Sequence, residues 1–140
     1  MSPPAPRLDH IGIAVPDLEA ALRIWQGALG LAPAFRERVE TEGVEVVGLD
    51  AHPARIELMQ PTRADGPVAK FLERKGPGIH HLALRVDDID AALAQARAAG
   101  LTPVGEAPRP GAHGTRVAFL HPAGTGGVLL ELVQHGKAIT

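Results

Sequence analysis

The sequence predicts an α+β fold built from two tandem βαβββ modules. The first observation is an internal repeat, because residues 8–22 (LDHIGIAVPDLEAAL) and residues 79–93 (IHHLALRVDDIDAAL) align without a gap. The second is that each half closes with an apolar strand holding one glutamate, ARIELMQP at 54–61 and VLLELVQ at 128–134. The third is that, at the same position in both copies, the apolar residues change from the alternation of a strand to the spacing of a helix. One domain made of two similar halves accounts for all three.

The first module spans about residues 7–62. Its first strand, residues 8–15, alternates bulky apolar residues with small or polar ones. Asp17 stands where a helix N-cap is expected, and Gly30 stands where the helix should end. Apolar residues recur between them at the period of an amphipathic helix, namely Leu18, Leu22, Trp25 and Leu29. Three further strands are predicted near 34–39, 43–50 and 54–60.

The second module spans about residues 78–135 and repeats this order. Asp88 is its predicted N-cap, and Gly100 ends its helix. Its later strands are predicted near 104–107, 115–121 and 127–133. Between the modules, GPVAKFLERKG at about 66–76 predicts a linking helix that ends at a glycine.

The strand phases bring one imidazole and one carboxylate per module to a common face. His10 and His81 occupy equivalent repeat positions and share their strand face with small residues, opposite the bulky residues that the helix should cover. Glu57 and Glu131 likewise alternate with apolar neighbours and take the opposite face from them. If the two sheets curl toward each other, these four side chains converge in one cleft and form a metal site of two nitrogen and two oxygen donors.

Composition excludes several other classes of function. The chain has 140 residues, a formal net charge of −2 with acids and bases interspersed, and no basic stripe for a nucleic acid. No apolar run approaches the length of a membrane span, and the N-terminal MSPPAPR lacks the apolar stretch of a secretory signal. We therefore expect a cytoplasmic protein that does not bind membranes. Since the chain has no cysteine, any metal must be held by nitrogen and oxygen.

Each candidate ligand also has an ordinary structural interpretation. Glu57 could form an ion pair with Arg55, but two residues along one strand is an awkward reach, and burying an unpaired carboxylate costs several kcal/mol. Coordination is therefore favoured for the pair of glutamates. His80 is expected to be a hydrogen-bonded core histidine. The remaining histidines are expected to be solvated in loops or at the C-terminal tail, namely His52, His113, His121 and His135.

One loop is a candidate for binding the substrate. Arg109, His113 and Arg116 lie around the segment PRPGAHGTR, whose glycines would let a ligand approach the backbone. These side chains could bind a carboxylate or a phosphate, although an ordinary connection has the same composition. Lys70 on the linking helix is expected to be a solvated surface residue.

The sequence resembles the vicinal oxygen chelate superfamily, which includes glyoxalases, bleomycin resistance proteins and ring-cleaving dioxygenases. The resemblance spans about residues 7–135 and is strongest to the methylmalonyl-CoA epimerases. It is carried by four segments, DHIGIAVPDLEAAL, ELMQPTRADGPVAKFLERKGPGIHHLALRVDDIDAAL, PRPGAHGTRVAFLHP and TGGVLLELVQ. It implies an open, cup-shaped mixed β-sheet around a metal site whose ligands are His10, Glu57, His81 and Glu131.

The resemblance also implies an activity. An epimerase of this kind interconverts the (2R) and (2S) forms of methylmalonyl-CoA by abstracting the α-proton, with a divalent metal stabilising the enolate. Cobalt, nickel, manganese and zinc all fit the mixed ligands, and Glu131 is the candidate acid and base. The expected partners are a small acyl-CoA substrate and a second copy of the chain in a homodimer.

Two features leave alternatives open. Some epimerases carry a further glutamate in the third strand as a second base, and this chain has Val46 there, so one base serves both faces or a water or another residue completes the relay. Glyoxalase I-type isomerisation of a hemithioacetal would use the same ligands. A metal-free binding protein of the same fold is the alternative outside enzymes, and a ring-cleaving dioxygenase fits less well.

Overall fold

The computed structural model describes residues 4–136 and contains the predicted elements in the predicted order. The strands of module one are β1 (Arg7–Ala14), β2 (Ala32–Val39), β3 (Val44–Ala51) and β4 (Ala54–Pro61). Those of module two are β5 (Gly78–Arg85), β6 (Pro103–Pro110), β7 (Arg116–Leu120) and β8 (Leu130–Gln134). The helices are α1 (Leu18–Leu22), α2 (Pro67–Lys75) and α3 (Ile89–Ala98). The α+β class and the tandem βαβββ order are thus confirmed.

The chain divides into two compact units. Residues 10–80 form one unit, which holds most of module one and the helix α2. Of the described residues, the other unit holds 4–9 and 81–136. No helix within residues 4–136 is long and apolar enough to cross a membrane.

The two modules have the same strand connections. In module one the order is β2-β3-β4-β1, with β1 and β4 parallel and the other pairs antiparallel. In module two the order is β6-β7-β8-β5, again with one parallel pair, β5 and β8. The last strand of each module therefore lies next to its first strand, which is where the histidine and the glutamate of that module are found.

The helix-covered faces of the sheets are apolar, as the phase predicts. In module one Val15, Leu18 and Leu58 pack in a buried cluster with Val47 and Leu49. In module two the corresponding cluster contains Ile89, Leu93, Ala118, Leu120 and Leu132. Each fully buried leucine or isoleucine contributes about 1.5–3 kcal/mol relative to an exposed one. These clusters fix the phase of every strand, because a slip of one residue would move each apolar side chain to the other face.

Both repeat helices are anchored at their N-termini in the same way. Asp17 accepts a hydrogen bond from the backbone N–H of Ala20 at 3.1 Å, and Asp88 accepts one from Ala91 at 3.1 Å. These contacts confirm the two predicted N-caps. The linking helix α2 also begins and ends as predicted, with Pro67 in its first turn and Gly76, at φ +78°, as its C-cap.

The helix of module one differs from the prediction after its first turns. The sequence predicts one amphipathic helix with Leu29 on the apolar stripe, whereas α1 continues as a π-helix over Arg23–Ala28. The backbone N–H of Leu29 donates to the carbonyl of Ile24 at 2.9 Å, five residues back. A π-turn takes more residues than an α-turn, so the later side chains rotate off the buried stripe. Leu29 is consequently 62% exposed.

Candidate metal centre

The histidine and the glutamate of module one lie in contact on the face away from α1. His10 on β1 and Glu57 on β4 are brought together because the two strands are parallel neighbours, with Gly12 opposite Glu57 in the register. His10 Nδ1 is 3.3 Å from Glu57 Oε2, and the two side chains are only 6% and 7% exposed. The predicted ligand pair of this module is therefore formed and buried.

Module two forms the equivalent pair. β5 and β8 are parallel neighbours, and Ala83 lies opposite Glu131 in the register. His81 Nε2 is 3.2 Å from Glu131 Oε1, and the side chains are 4% and 8% exposed. The small residue at position 83 belongs to a buried apolar cluster with Val117 and Val133 on the same face, so this carboxylate lies against apolar surroundings.

The spacing within each pair suits adjacent ligands of one metal ion. Metal–donor distances of about 2.0–2.2 Å place two ligand atoms at right angles about 2.9 Å apart. The observed separations of 3.3 Å and 3.2 Å are slightly wider and close with a small side-chain adjustment. Imidazole nitrogen and carboxylate oxygen are also donors that divalent transition metals accept. The residues present in each module therefore fit a divalent ion.

Arg55 forms an ion pair with Glu57, although the spacing of two residues along one strand is expected to make this reach awkward. Its Nη2 donates to Glu57 Oε2 at 3.1 Å. Residues two apart on a strand project from the same face, and the long arginine side chain spans the distance easily. The guanidinium also lies 5.5 Å from the ring centre of Phe35, within the range of a cation–π contact.

An aromatic ring stands beside the ligand pair in module two as well. Phe119 lies opposite Glu131 in the β7–β8 register, and its ring meets that of His81 edge-on at 5.3 Å. In module one the position opposite Glu57 is Gly48, and the Phe35 ring from β2 occupies the space that a side chain at 48 would fill. The two modules thus place a ring next to their glutamate from different strands.

The predicted substrate-binding residues are separated by the structure. Arg109 lies 5.5 Å from the ring centre of Phe119, on the face of module two that carries Glu131. Arg116 instead lies 3.4 Å from Asp90 of α3, on the helix-covered face. His113 is exposed at the turn between β6 and β7, with φ +59°. Of these three residues only Arg109 is brought near a ligand pair by the described contacts, and Lys70 is exposed as expected.

Glu45 is held away from the ligand face. Val46 and Gly48 share the face of Glu57, whereas the Glu45 carboxylate accepts a hydrogen bond from Arg36 at 2.7 Å. Arg36 also donates to Glu19 of α1 at 2.7 Å. These hydrogen bonds, first that with Glu19 and then that with Glu45, raise the pKa of Arg36 above its ordinary value. The carboxylate adjacent to Val46 therefore belongs to a surface ion-pair network.

Two histidines have environments that differ from the prediction. The sequence predicts a solvated His135, but its Nε2 lies 2.5 Å from Asp9 Oδ1, and the Asp9 side chain is only 3% exposed. Since 126 residues separate the partners, no local pattern could indicate this contact. His80, predicted in the core, is half-buried and meets the Phe71 ring edge-on at 5.0 Å.

The comparisons with known proteins agree on the fold and on a family. Residues 9–119 match the sequence profile of the Glyoxalase/Bleomycin resistance protein/Dioxygenase superfamily. The chain is 41% identical to ethylmalonyl-CoA/methylmalonyl-CoA epimerase of Cereibacter sphaeroides, over 91% of this chain and 97% of that protein. It is 40% identical to the human mitochondrial methylmalonyl-CoA epimerase, over 91% of this chain and 73% of that protein.

A solved structure gives the same result. A single-residue variant of Streptomyces coelicolor methylmalonyl-CoA epimerase, in complex with 2-nitronate-propionyl-CoA, superposes with a TM-score of 0.88. The two chains are 37% identical, and the match covers 94% of this chain and 98% of that one.

Proposed function

Because the chain belongs to the glyoxalase/bleomycin resistance/dioxygenase superfamily and, within it, to the methylmalonyl-CoA epimerase family, we propose that it interconverts (2R)- and (2S)-methylmalonyl-CoA. The observation that carries this proposal is the sequence identity of 41% and 40% to two named epimerases, in each case over 91% of the chain. The formation of both buried histidine–glutamate pairs supports it, since the reaction needs a metal-binding site with a carboxylate beside it.

The proposed ligands of a single divalent ion are His10, Glu57, His81 and Glu131. The repeat places the two pairs at equivalent positions, and each pair has the separation of neighbouring ligands. Four ligands of an octahedral ion leave two positions for the substrate. When bound, the ion would act as a Lewis acid toward the charge that develops on the thioester oxygen. Cobalt is the ion we would test first, followed by nickel, manganese and zinc.

Glu131 is the proposed acid and base. The carbon between the carboxylate and the thioester carries an acidic proton, and a carboxylate placed beside it can remove that proton and return it. General acid–base catalysis of this kind contributes about 10²- to 10⁴-fold. Return of the proton to the opposite face requires a donor there, and Val46 cannot supply one. The Glu131 side chain is 8% exposed and lies on the same strand face as Ala83, Val117 and Val133, so its carboxylate belongs to the ligand face and not to the helix-covered core.

Arg109 is the proposed contact for an anionic group of the acyl-CoA. Its guanidinium is held over Phe119, whose ring also touches His81, so its charge lies on the same face as the ligand pair. His113 and Arg116 remain weaker proposals for the same role, because one is exposed on a turn and the other pairs with Asp90. A homodimer in the cytoplasm completes the proposal, on the family likeness, and light scattering of the purified protein tests the dimer.

The test of the activity is the loss of the α-proton of methylmalonyl-CoA in D₂O, monitored by NMR. The protein is first stripped of metal, and spectra are recorded before and after cobalt is added. Exchange that depends on the metal is the expected result. Absence of exchange with all four metals would refute the proposal. Methylglyoxal with glutathione is the comparison substrate, and its turnover would instead assign the site to glyoxalase chemistry.

A further inference from the structure

Arg55 brings a fixed positive charge to the ligand pair of module one. Its Nη2 lies 3.1 Å from Glu57 Oε2, the same oxygen that His10 Nδ1 approaches to 3.3 Å. The arginine side chain is 20% exposed and the glutamate side chain 7%, so the contact is screened by little water. The arginine guanidinium is a cation with five N–H donors and no acceptor. The positive charge of Arg55 therefore offsets the negative charge of Glu57 where the two side chains meet.

The neighbouring strands are shaped to hold this arginine in place. The Phe35 ring lies 5.5 Å from the guanidinium carbon and limits its movement on one side. That ring fits because residue 48 is glycine, since a Cβ there would lie 2.2 Å from the ring. Gly48 is itself the register partner of Glu57. Gly48 thus makes room for the Phe35 ring, the ring packs beside the Arg55 guanidinium, and Arg55 contacts the Glu57 carboxylate.

The proposed reaction explains why a positive charge is needed beside Glu57. The substrate brings a carboxylate to the site, and its thioester oxygen gains further negative charge when the α-proton leaves. A second glutamate ligand adds one more negative charge beside these groups, and buried like charges repel strongly. A neutral ligand at position 57 would avoid the repulsion, whereas this chain keeps the glutamate and places an arginine on it.

We propose that Arg55 is a positioning residue that offsets the charge of Glu57, so that an anionic substrate can bind beside a carboxylate ligand. The inference rests on the proposed function, because it requires Glu57 to be a metal ligand and the substrate to be an anion. It assigns Arg55 no direct contact with the substrate. Its role is to let Glu57 supply an oxygen ligand without repelling the substrate's carboxylate.

The test uses cobalt-loaded protein and methylmalonate, which carries the chelating head of the substrate without the CoA. Equilibrium dialysis gives the cobalt affinity, and the visible cobalt spectrum reports methylmalonate binding. The variants are Arg55→Met, Glu57→Gln and the two combined. Arg36→Met is the matched control, because Arg36 also pairs with glutamates but lies on the helix-covered face of module one.

The expected results separate charge from structure. Arg55→Met should bind cobalt at least as tightly as the unchanged protein, since a cation near the metal is removed. It should bind methylmalonate about tenfold more weakly, which corresponds to ~1.4 kcal/mol, because the charge of Glu57 is then no longer offset. Adding Glu57→Gln should restore methylmalonate binding, because the uncompensated negative charge is gone. Arg36→Met should change neither affinity.

Other results would overturn the inference. Loss of cobalt by Arg55→Met would mean that the arginine only orients Glu57. Weak methylmalonate binding that Glu57→Gln does not restore would mean that Arg55 contacts the anion directly. Unchanged methylmalonate binding in Arg55→Met would remove the role altogether. If the unchanged protein binds no cobalt, the metal site itself fails, which is a distinct outcome measured before any variant is made.

Discussion

Asp9 Oδ1, on β1, lies 2.5 Å from Nε2 of His135, the residue that directly follows β8. The aspartate side chain is 3% exposed and the imidazole 19%, so most of the contact is shielded from water. Both residues belong to the unit that holds residues 4–9 and 81–136. Asp9 directly precedes the candidate ligand His10 in the sequence.

Replacing His135 with alanine should destabilise the protein by about 1–3 kcal/mol, because it leaves a buried carboxylate without this partner. Urea unfolding followed by circular dichroism measures the change. Asp9→Asn combined with His135→Ala should cost less than the sum of the single changes if the two residues interact. A fully additive double variant would show that the contact contributes nothing to stability.

The glutamines at the ends of β4 and β8 should each contribute to helix stability. Gln60 accepts a hydrogen bond from the backbone N–H of Leu18 at 2.6 Å, and Gln134 accepts one from Ile89 at 2.9 Å. Each satisfies one of the N–H groups that a helix start leaves without a helical partner. Either glutamine changed to alanine should lower the free energy of unfolding by about 0.5–1.5 kcal/mol. Gln95→Ala on the exposed side of α3 is the control and should have little effect.

Glu131→Gln should separate metal binding from proton transfer. The amide keeps an oxygen donor but cannot accept a proton, so the variant should retain cobalt while the rate of α-proton exchange falls about 10²- to 10⁴-fold. Metal content and NMR exchange measured on the same preparation decide the matter. Full exchange by a cobalt-loaded Glu131→Gln variant would mean that another group is the base.

Gly48→Ala should destabilise module one. The new Cβ would stand 2.2 Å from the Phe35 ring, which would have to leave its place beside Arg55. Overpacking of this kind typically costs about 1–3 kcal/mol. Thermal unfolding measures the loss, and Gly27→Ala is the control, because a Cβ there finds its nearest neighbour at 3.9 Å. Equal stability of the two variants would show that the ring moves without penalty.

Much of the fold could be predicted because the decisive signals are local. Asp17 and Asp88 cap their helices as their side-chain chemistry requires, and strand alternation gives the phase that puts Glu57 and Glu131 opposite the apolar core. One copy alone does not single out a histidine, whereas the repeat identifies His10 and His81 as equivalent positions. The caps and the strand phase depend on residues a few positions apart, and the repeat is visible directly in the sequence.

The rest depends on contacts or geometry that no short pattern encodes. The apolar residues of this segment recur in the sequence at the spacing of an ordinary α-helix. The sequence therefore does not reveal the π-turn that exposes Leu29. Strand spacing alone predicts an awkward reach from Arg55 to Glu57, because it takes no account of the length of the arginine side chain. The partner of His135 lies at the other end of the chain, where sequence alone gives no sign of proximity.

The ring beside each glutamate shows how the two halves differ. In module one it is Phe35 of β2, reaching over a glycine, whereas in module two it is Phe119 of β7, standing at the position where the first module has that glycine. A change from one arrangement to the other takes two substitutions, because a ring at both positions would clash and a ring at neither would leave a void. A symmetric protein made from two copies of either half would therefore contain one of these arrangements twice.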